Sequence, residues 1–261
     1  MPILPSQPHQ QRQMAESFGV DAARYDRARP RYPDAMVNAL LAGLPGKSVL
    51  DVGCGTGIVA RQFQAAGCEV LGVDVDERMA AFARESGVPV EVAKFEEWDP
   101  AGRTFDAVVA GQTWHWVEPA AGAAKAASVI NPGGRLALFW NAFQPAPEFA
   151  EAFAEVYDRV LNAPRNPWTI SLVDAYRSFM AKTTEAIDAT KAFGPAEQLT
   201  FEWEKQYTRD EWLDAARTGG DAGTYQPETL EELISAIGTA IDALGGSFTM
   251  GFNTVVLTAT L

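Results

Sequence analysis

The chain has 261 residues, 47% of them hydrophobic, which is enough for a full α/β core with room for an added cap. Its formal net charge of -13 opposes nucleic-acid phosphates and anionic membrane surfaces. No apolar run approaches the roughly 18 residues of a membrane span, and the N-terminus lacks the pattern of a signal peptide. Its two cysteines, Cys54 and Cys68, form neither a disulfide framework nor a Cys-x-x-Cys pair, so reduced thiols and a cytoplasmic setting are expected.

In chain order, residues 1–13 are rich in Pro and Gln and are expected to be mobile. Residues 17–44 have helical spacing, interrupted at Arg29-Pro30-Arg31-Tyr32-Pro33, where two prolines mark a turn. Short apolar runs at 48–53, 68–74, 89–95, 104–111 and 135–141 read as strands. Helical patterns at 58–67, 76–87 and 120–130 alternate with them, the first two closed by glycine. This alternation predicts a Rossmann-like, doubly wound α/β sheet that is mostly parallel. Beyond Asn141, helices are expected at 147–162, 169–192, 209–217 and 227–244, and strands at 198–208 and 252–261. The late strands suggest an antiparallel pair at the sheet edge. The expected division is a tail and lid helices over 1–44, a sheet core over 45–141, a helical cap over 142–197 and the rest of the sheet over 198–261.

The stretch VLDVGCGTG, from Val49 to Gly57, places a glycine turn between a buried strand and a helix. A phosphate loop needs Lys-Ser/Thr after its last glycine, but Ile58 follows Gly57. The spacing Gly53-x-Gly55-x-Gly57 also departs from the dinucleotide pattern Gly-x-Gly-x-x-Gly. Asp51 would repel a pyrophosphate and attract an ammonium, while the helix N-terminus offers N–H groups to a carboxylate. The turn therefore suits an amino acid. Asp74 follows Gly53 at the spacing of about 20 residues where an acidic side chain meets ribose hydroxyls. An amino acid and a ribose on one ligand point to S-adenosylmethionine.

VLDVGCGTG, Asp74, FDAVVAGQTWHWV and NPGGRLALFWN together resemble the class I S-adenosylmethionine-dependent methyltransferases, over about residues 15–141. The resemblance implies S-adenosyl-L-methionine as cofactor. It would set Gly53, Gly55 and Gly57 along the methionine end, with Asp51 facing its amino group. Asp74 would bind the ribose, Val75 and Met79 would pack on adenine, and Phe95 and Glu96 would border the adenine edge. Gln112 would lie near the methionine part. The segment FGVDAARYDRARPRYP resembles the lid of the branch that includes trans-aconitate and mycobacterial fatty-acid methyltransferases, sometimes grouped as type 11. By that likeness Tyr25, Arg29 and Tyr32 cover the cofactor, with Arg29 reaching its carboxylate and the tyrosines touching the methyl or the acceptor.

His115, between Trp114 and Trp116 after the fourth strand, is one of two histidines. It is either a hydrogen-bond donor to an acceptor oxygen or a general base for a hydroxyl. A carboxylate acceptor is already ionised at neutral pH and needs only orienting donors, for which His115, Trp116, Tyr25 and Tyr32 are the candidates. No metal site is expected. The cap arginines Arg159, Arg165 and Arg177 form no cluster suited to a tricarboxylate, whereas Phe143, Phe149, Phe153, Tyr157, Trp168, Tyr176 and Phe179 suggest an apolar pocket. The expected reaction is O-methylation of a small carboxylic acid, best a fatty or other hydrophobic acid giving a methyl ester. The alternatives are a hydroxyl acceptor with His115 as base and a trans-aconitate-like acid.

Overall fold

The computed structural model describes residues 17–162, 166–220 and 222–261. Residues 1–13 and Arg165, each given a reading above, lie outside them. Contacts divide the chain into two units, one of residues 1–30, 142–174 and 202–253, the other of 31–141, 175–201 and 254–261. The four consecutive segments expected from the sequence are thus interleaved. Residues 175–197, assigned above to the cap, fold with the sheet core.

The second unit opens with helix α2 (Asp34–Leu41), after helix α1 (Ala22–Ala28) in the first. Strands β1 (Ser48–Val52), β2 (Glu69–Asp74), β3 (Val90–Val92), β4 (Phe105–Gly111) and β5 (Ile130–Pro145) follow, linked by helices α3 (Ile58–Ala65), α4 (Glu77–Glu85) and α5 (Pro119–Val129). β1 pairs with β2 and β4, β2 with β3, and β4 with β5, all in parallel, with Asp51 opposite both Gly72 and Val109. Two of these three crossover helices carry side-chain N-caps. Asp76 caps α4 by accepting the Arg78 N–H at 2.9 Å, and Glu118 caps α5 by accepting the Ala121 N–H at 2.6 Å. Apolar residues of α2, α3, α4 and the strands, including Met36, Leu40, Phe63, Val109 and Phe139, close one continuous core.

Beyond β5 come α6 (Pro147–Leu161), α7 (Leu172–Ala189), β6 (Glu197–Thr208), α8 (Arg209–Arg217), α9 (Pro227–Ala243) and β7 (Ser247–Thr260). The seven strands lie in the order β3-β2-β1-β4-β5-β7-β6. Partners along β5 and β7 run in opposite senses: Leu261 N–H donates to the Gly134 carbonyl, and Thr254 Oγ1 to Asn141 Oδ1. The antiparallel pair expected of the late strands is β7 with β6 at the sheet edge, where the Gly194 N–H just before β6 donates to the Thr260 carbonyl at the end of β7. Strand β5 starts five residues before Arg135 because the Asn131-Pro132-Gly133-Gly134 stretch pairs with the chain's last residue.

The first unit has its own aromatic core. Phe153, fully buried, lies parallel to Trp212 at 5.9 Å, and Phe149 stacks on Phe248 at 4.5 Å. Phe149, Phe153 and Tyr157, offered above as pocket lining, are therefore interior packing. Only Phe143 and Trp168 of that group border a small apolar slot, with Pro145, Pro167, Ile170 and Leu172. Among the described residues, no helix is long and apolar enough to cross a membrane.

Candidate functional site

The strand order reverses between β1 and β4, and the ends of these two strands are where an open α/β sheet binds ligands. The glycine turn follows β1, and Gln112 to Trp116 follow β4. The two turns are tied together: the Thr113 hydroxyl donates to the Gly53 carbonyl at 3.0 Å.

Glycine is required at position 53 twice over. Its φ is 63°, and a Cβ there would come within 1.9 Å of Thr113 Cγ2. Gly55 differs, since its φ is 54° but nothing lies within 4 Å of where a Cβ would point. Its bare backbone faces open space, as a close-fitting ligand requires.

Asp51 sits near the end of β1, 1% exposed, and among the described residues neither carboxylate oxygen has a hydrogen-bond partner. Burial pushes its pKa well above the carboxylate range, and the nearby Asp74 charge adds to this. The Ala60 backbone N–H opposes the rise from outside hydrogen-bonding geometry. The Thr56 hydroxyl in the same turn is also buried and unpartnered. A carboxylate so placed calls for a cation, and a ligand ammonium meets that need.

Asp74 ends β2. Its Oδ2 accepts the Gly55 N–H at 2.7 Å and its Oδ1 the Asp76 N–H at 2.9 Å. Burial raises its pKa while these backbone donors pull it back. Each oxygen keeps a lone pair for a hydroxyl. Val75 is 39% exposed beside it, whereas Met79 and Phe95 are buried. Glu96 follows Phe95 in the short turn after β3. Its Oε1 accepts the Glu118 N–H at 2.9 Å, tying the Phe95–Glu97 turn to the start of α5.

His115 is buried, and Trp140 Nε1 donates to its Nδ1 at 3.3 Å. That fixes the neutral tautomer with hydrogen on Nε2. Burial lowers its pKa from 6.5 to about 3. Trp116 lies against the imidazole at 4.8 Å, while Trp114 is packed away in the core. Tyr32 is also brought to this end of the sheet. Its ring meets Phe139 edge-on at 4.7 Å, and its hydroxyl lies 2.9 Å from where a Gly111 Cβ would be. Gln62 holds its backbone from both sides, at 3.1 and 2.7 Å.

Tyr25 and Arg29 belong to the first unit. The Arg29 guanidinium lies over the Tyr25 ring at 4.8 Å and donates to the Thr218 carbonyl. The second unit thus brings together Asp51, the three glycines, Asp74, Val75, Gln112, His115, Trp116 and Tyr32. Sequence reasoning missed Thr113 and the roles of Trp140 and Tyr176. Tyr176 and Phe179, three residues apart on α7, share a helix face, and that spacing was the available signal.

Residues 49–134 match a family described as a methyltransferase domain. An uncharacterised methyltransferase of Mycobacterium tuberculosis is 38% identical over 133 residues, 50% of this chain and 54% of that one. A ubiquinone biosynthesis O-methyltransferase of Hahella chejuensis is 36% identical, over 49% of this chain and 57% of that one. A malonyl-[acyl-carrier protein] O-methyltransferase of Enterobacter lignolyticus is 30% identical, over 53% and 60%. The chain thus spans about half the length of the curated relatives it matches. A solved structure of a candidate type II methyltransferase from Anaeromyxobacter dehalogenans shares the fold with a TM-score of 0.59. It is 23% identical, over 89% of this chain and 97% of that one. Family match, strand order and glycine turn agree: residues 49–134 match a methyltransferase domain, within a chain that shares the fold of a solved methyltransferase structure.

Proposed function

We propose that this chain is an S-adenosylmethionine-dependent O-methyltransferase whose acceptor is the carboxylate of a small hydrophobic acid, a fatty acid or one like it. The observation that carries the choice of acceptor is the state of His115. With Nδ1 accepting from Trp140 and a pKa near 3, the imidazole is a donor through Nε2–H and a poor base. A hydroxyl acceptor needs its proton removed. A carboxylate with a pKa of about 4.3 does not, because it arrives with a nucleophilic oxygen at neutral pH. Donors that hold that oxygen still are what the β4 end supplies.

The cofactor fits the residues. Asp51 would take the ammonium, the N–H groups behind Gly55 and Gly57 the carboxylate, and Asp74 the ribose hydroxyls. Val75, Met79 and Phe95 would flank the base. When bound, S-adenosylmethionine supplies an electrophilic methyl on its sulfonium sulfur. The chain's part is to align that methyl with the acceptor oxygen and to exclude water. Tyr32, which the second unit brings to the end of β4, is assigned the covering role.

A hydrophobic acid is favoured over a tricarboxylate because Arg159 and Arg177 are both exposed side chains. The malonyl-directed relative has a carboxylate acceptor by the chemistry of its name; the ubiquinone relative supports the hydroxyl alternative. A transfer screen with labelled S-adenosylmethionine, using fatty acids of graded length, trans-aconitate and simple phenols, tests the proposal. Base-labile label on the fatty acids supports it. Label on phenols alone overturns it.

A further inference from the structure

From Ala175 onward, α7 belongs to the same unit as the glycine turn and the β4 end. There it places Tyr176 against Gln112 and Trp140. The Tyr176 hydroxyl donates to Gln112 Oε1 at 3.3 Å. Its ring stacks on Trp140, with centroids 5.8 Å apart and planes at 25°. Trp140 in turn sets the His115 tautomer through its indole N–H. Phe179, one turn further along α7, closes the same group, its ring centroid 5.4 Å from that of Trp140 and 6.2 Å from that of His115, both nearly perpendicular.

Gln112 is an unusual residue for its backbone. Its φ is 56°, in the left-handed region that glycine occupies most readily. A glycine would serve the turn alone, so the side chain is kept there against a conformational penalty. The amide is held at both ends. Oε1 accepts from Tyr176, and Nε2 donates one hydrogen to the Asn141 carbonyl at 3.3 Å. Asn141 is buried and fixed by Thr254 Oγ1 at 2.6 Å. These contacts settle which way the amide points and leave its second N–H hydrogen for a ligand. His115 is in the same condition, with Nδ1 engaged and Nε2–H without a partner among the described residues.

We propose that Tyr176 is the positioning residue of the acceptor site, holding the Gln112 amide by its hydroxyl and the Trp140–His115 pair by its ring, so that two N–H donors are presented to the acceptor's carboxylate. The inference rests on the carboxylate reading above, but its structural half stands apart from it. One helix, with one side chain, sets both donors. Neither Gln112 nor His115 alone carries the information for its own orientation.

Two variants separate the hydroxyl from the ring. Tyr176→Phe keeps the stack on Trp140 and removes the bond to Gln112. With decanoate as acceptor, its kcat/KM is expected to fall roughly tenfold, the scale of one lost hydrogen bond, while the Kd for S-adenosylmethionine stays within twofold. Tyr176→Leu removes the stack as well and is expected to lose more. Nitrogen-15 correlation spectra read the second half directly, since the chain has only two histidines. Wild type and Tyr176→Phe should both show His115 in the single Nε2–H form. Tyr176→Leu should show a mixture of tautomers. The Gln112 side-chain amide should shift already in Tyr176→Phe.

Unchanged kcat/KM in Tyr176→Phe would overturn the positioning role, as would a loss of cofactor affinity equal to the loss of turnover. A His115 spectrum in Tyr176→Leu identical to wild type would overturn the part assigned to the ring. If wild type methylates no acid at all, the carboxylate reading fails. The nitrogen spectra then still decide whether Tyr176 sets the two donors.

Discussion

The indole nitrogen of Trp140 donates to Nδ1 of His115 across 3.3 Å, and both side chains are buried. A protonated imidazole would have no lone pair for that bond and would carry a charge into a dry site. The pKa of about 3, against an ordinary 6.5, follows from the burial. His115 is therefore expected to stay neutral from pH 5 to 8, with no nitrogen shift over that range. The sign for stability follows from the depressed value. The unfolded chain binds a proton on this residue below about 6.5, whereas the folded one does so only near 3. The stabilisation is thus complete above that window and is lost as pH falls through it. His115→Gln should flatten this part of the melting-temperature profile between pH 6.5 and 4. An unaltered slope would show that the histidine titrates normally.

Asp51 has the opposite sign. Its carboxyl pKa is raised in the folded state, so its effect on stability is most favourable at low pH and worsens as pH rises through the folded value. Asp51→Asn should raise the melting temperature of the ligand-free protein at pH 7, because an amide carries no buried charge. The same change should weaken S-adenosylmethionine binding at least tenfold by removing the ammonium's counter-charge. Calorimetric titration measures this. Wild-type affinity in the variant would remove Asp51 from the site.

Gly53 and Gly55 should respond differently to the same methyl group. Gly53→Ala combines a positive φ with a 1.9 Å approach to Thr113, so a large loss of stability is expected. Gly55→Ala has open space around it and should lose only about 1 kcal/mol to backbone strain. It should nevertheless bind S-adenosylmethionine poorly, because the added methyl stands where the ligand must come close. Urea denaturation and calorimetry on the pair check both halves.

Asp74 has two roles that one substitution uncovers. Asp74→Ala leaves the Gly55 and Asp76 N–H groups without their carboxylate partner and removes the hydroxyl acceptor. A moderate loss of stability and about a tenfold or greater loss of cofactor affinity are expected. Asp74→Asn keeps one acceptor oxygen and should recover part of the stability and little of the affinity. Equal affinity across all three proteins would contradict the ribose assignment.

Much of the fold was legible because its signals are local. Helices at 147–162, 209–217 and 227–244 lie within about a residue of α6, α8 and α9, each carrying its own apolar periodicity. The glycine turn was legible for a chemical reason, since Asp51 beside Gly53 excludes a pyrophosphate. What was not legible depends on partners distant in the chain. Tyr176 meets Gln112 across 64 positions, and nothing near either residue announces the other. Glutamine is not a residue from which a left-handed backbone is inferred, so the strain at Gln112 was silent. The aromatic residues of 143–168 read equally well as pocket or core, and only Trp203, Trp212, Phe248 and Phe252 from later segments decide for core. The interleaved units arise in the same way, through returns of the chain that periodicity does not encode.

The most direct measurement compares two acceptors of one skeleton, 4-phenylbutyric acid and 4-phenylbutanol, incubated separately with the protein and S-adenosylmethionine and followed by mass spectrometry from pH 6 to 9. The expected result is a methyl ester from the acid, hydrolysed by mild base, with a rate flat across the range and no methyl ether from the alcohol. Methyl ether from the alcohol, with a rate rising through the ordinary histidine pKa of about 6.5, and no ester from the acid would contradict the reading of His115 as a donor to a carboxylate.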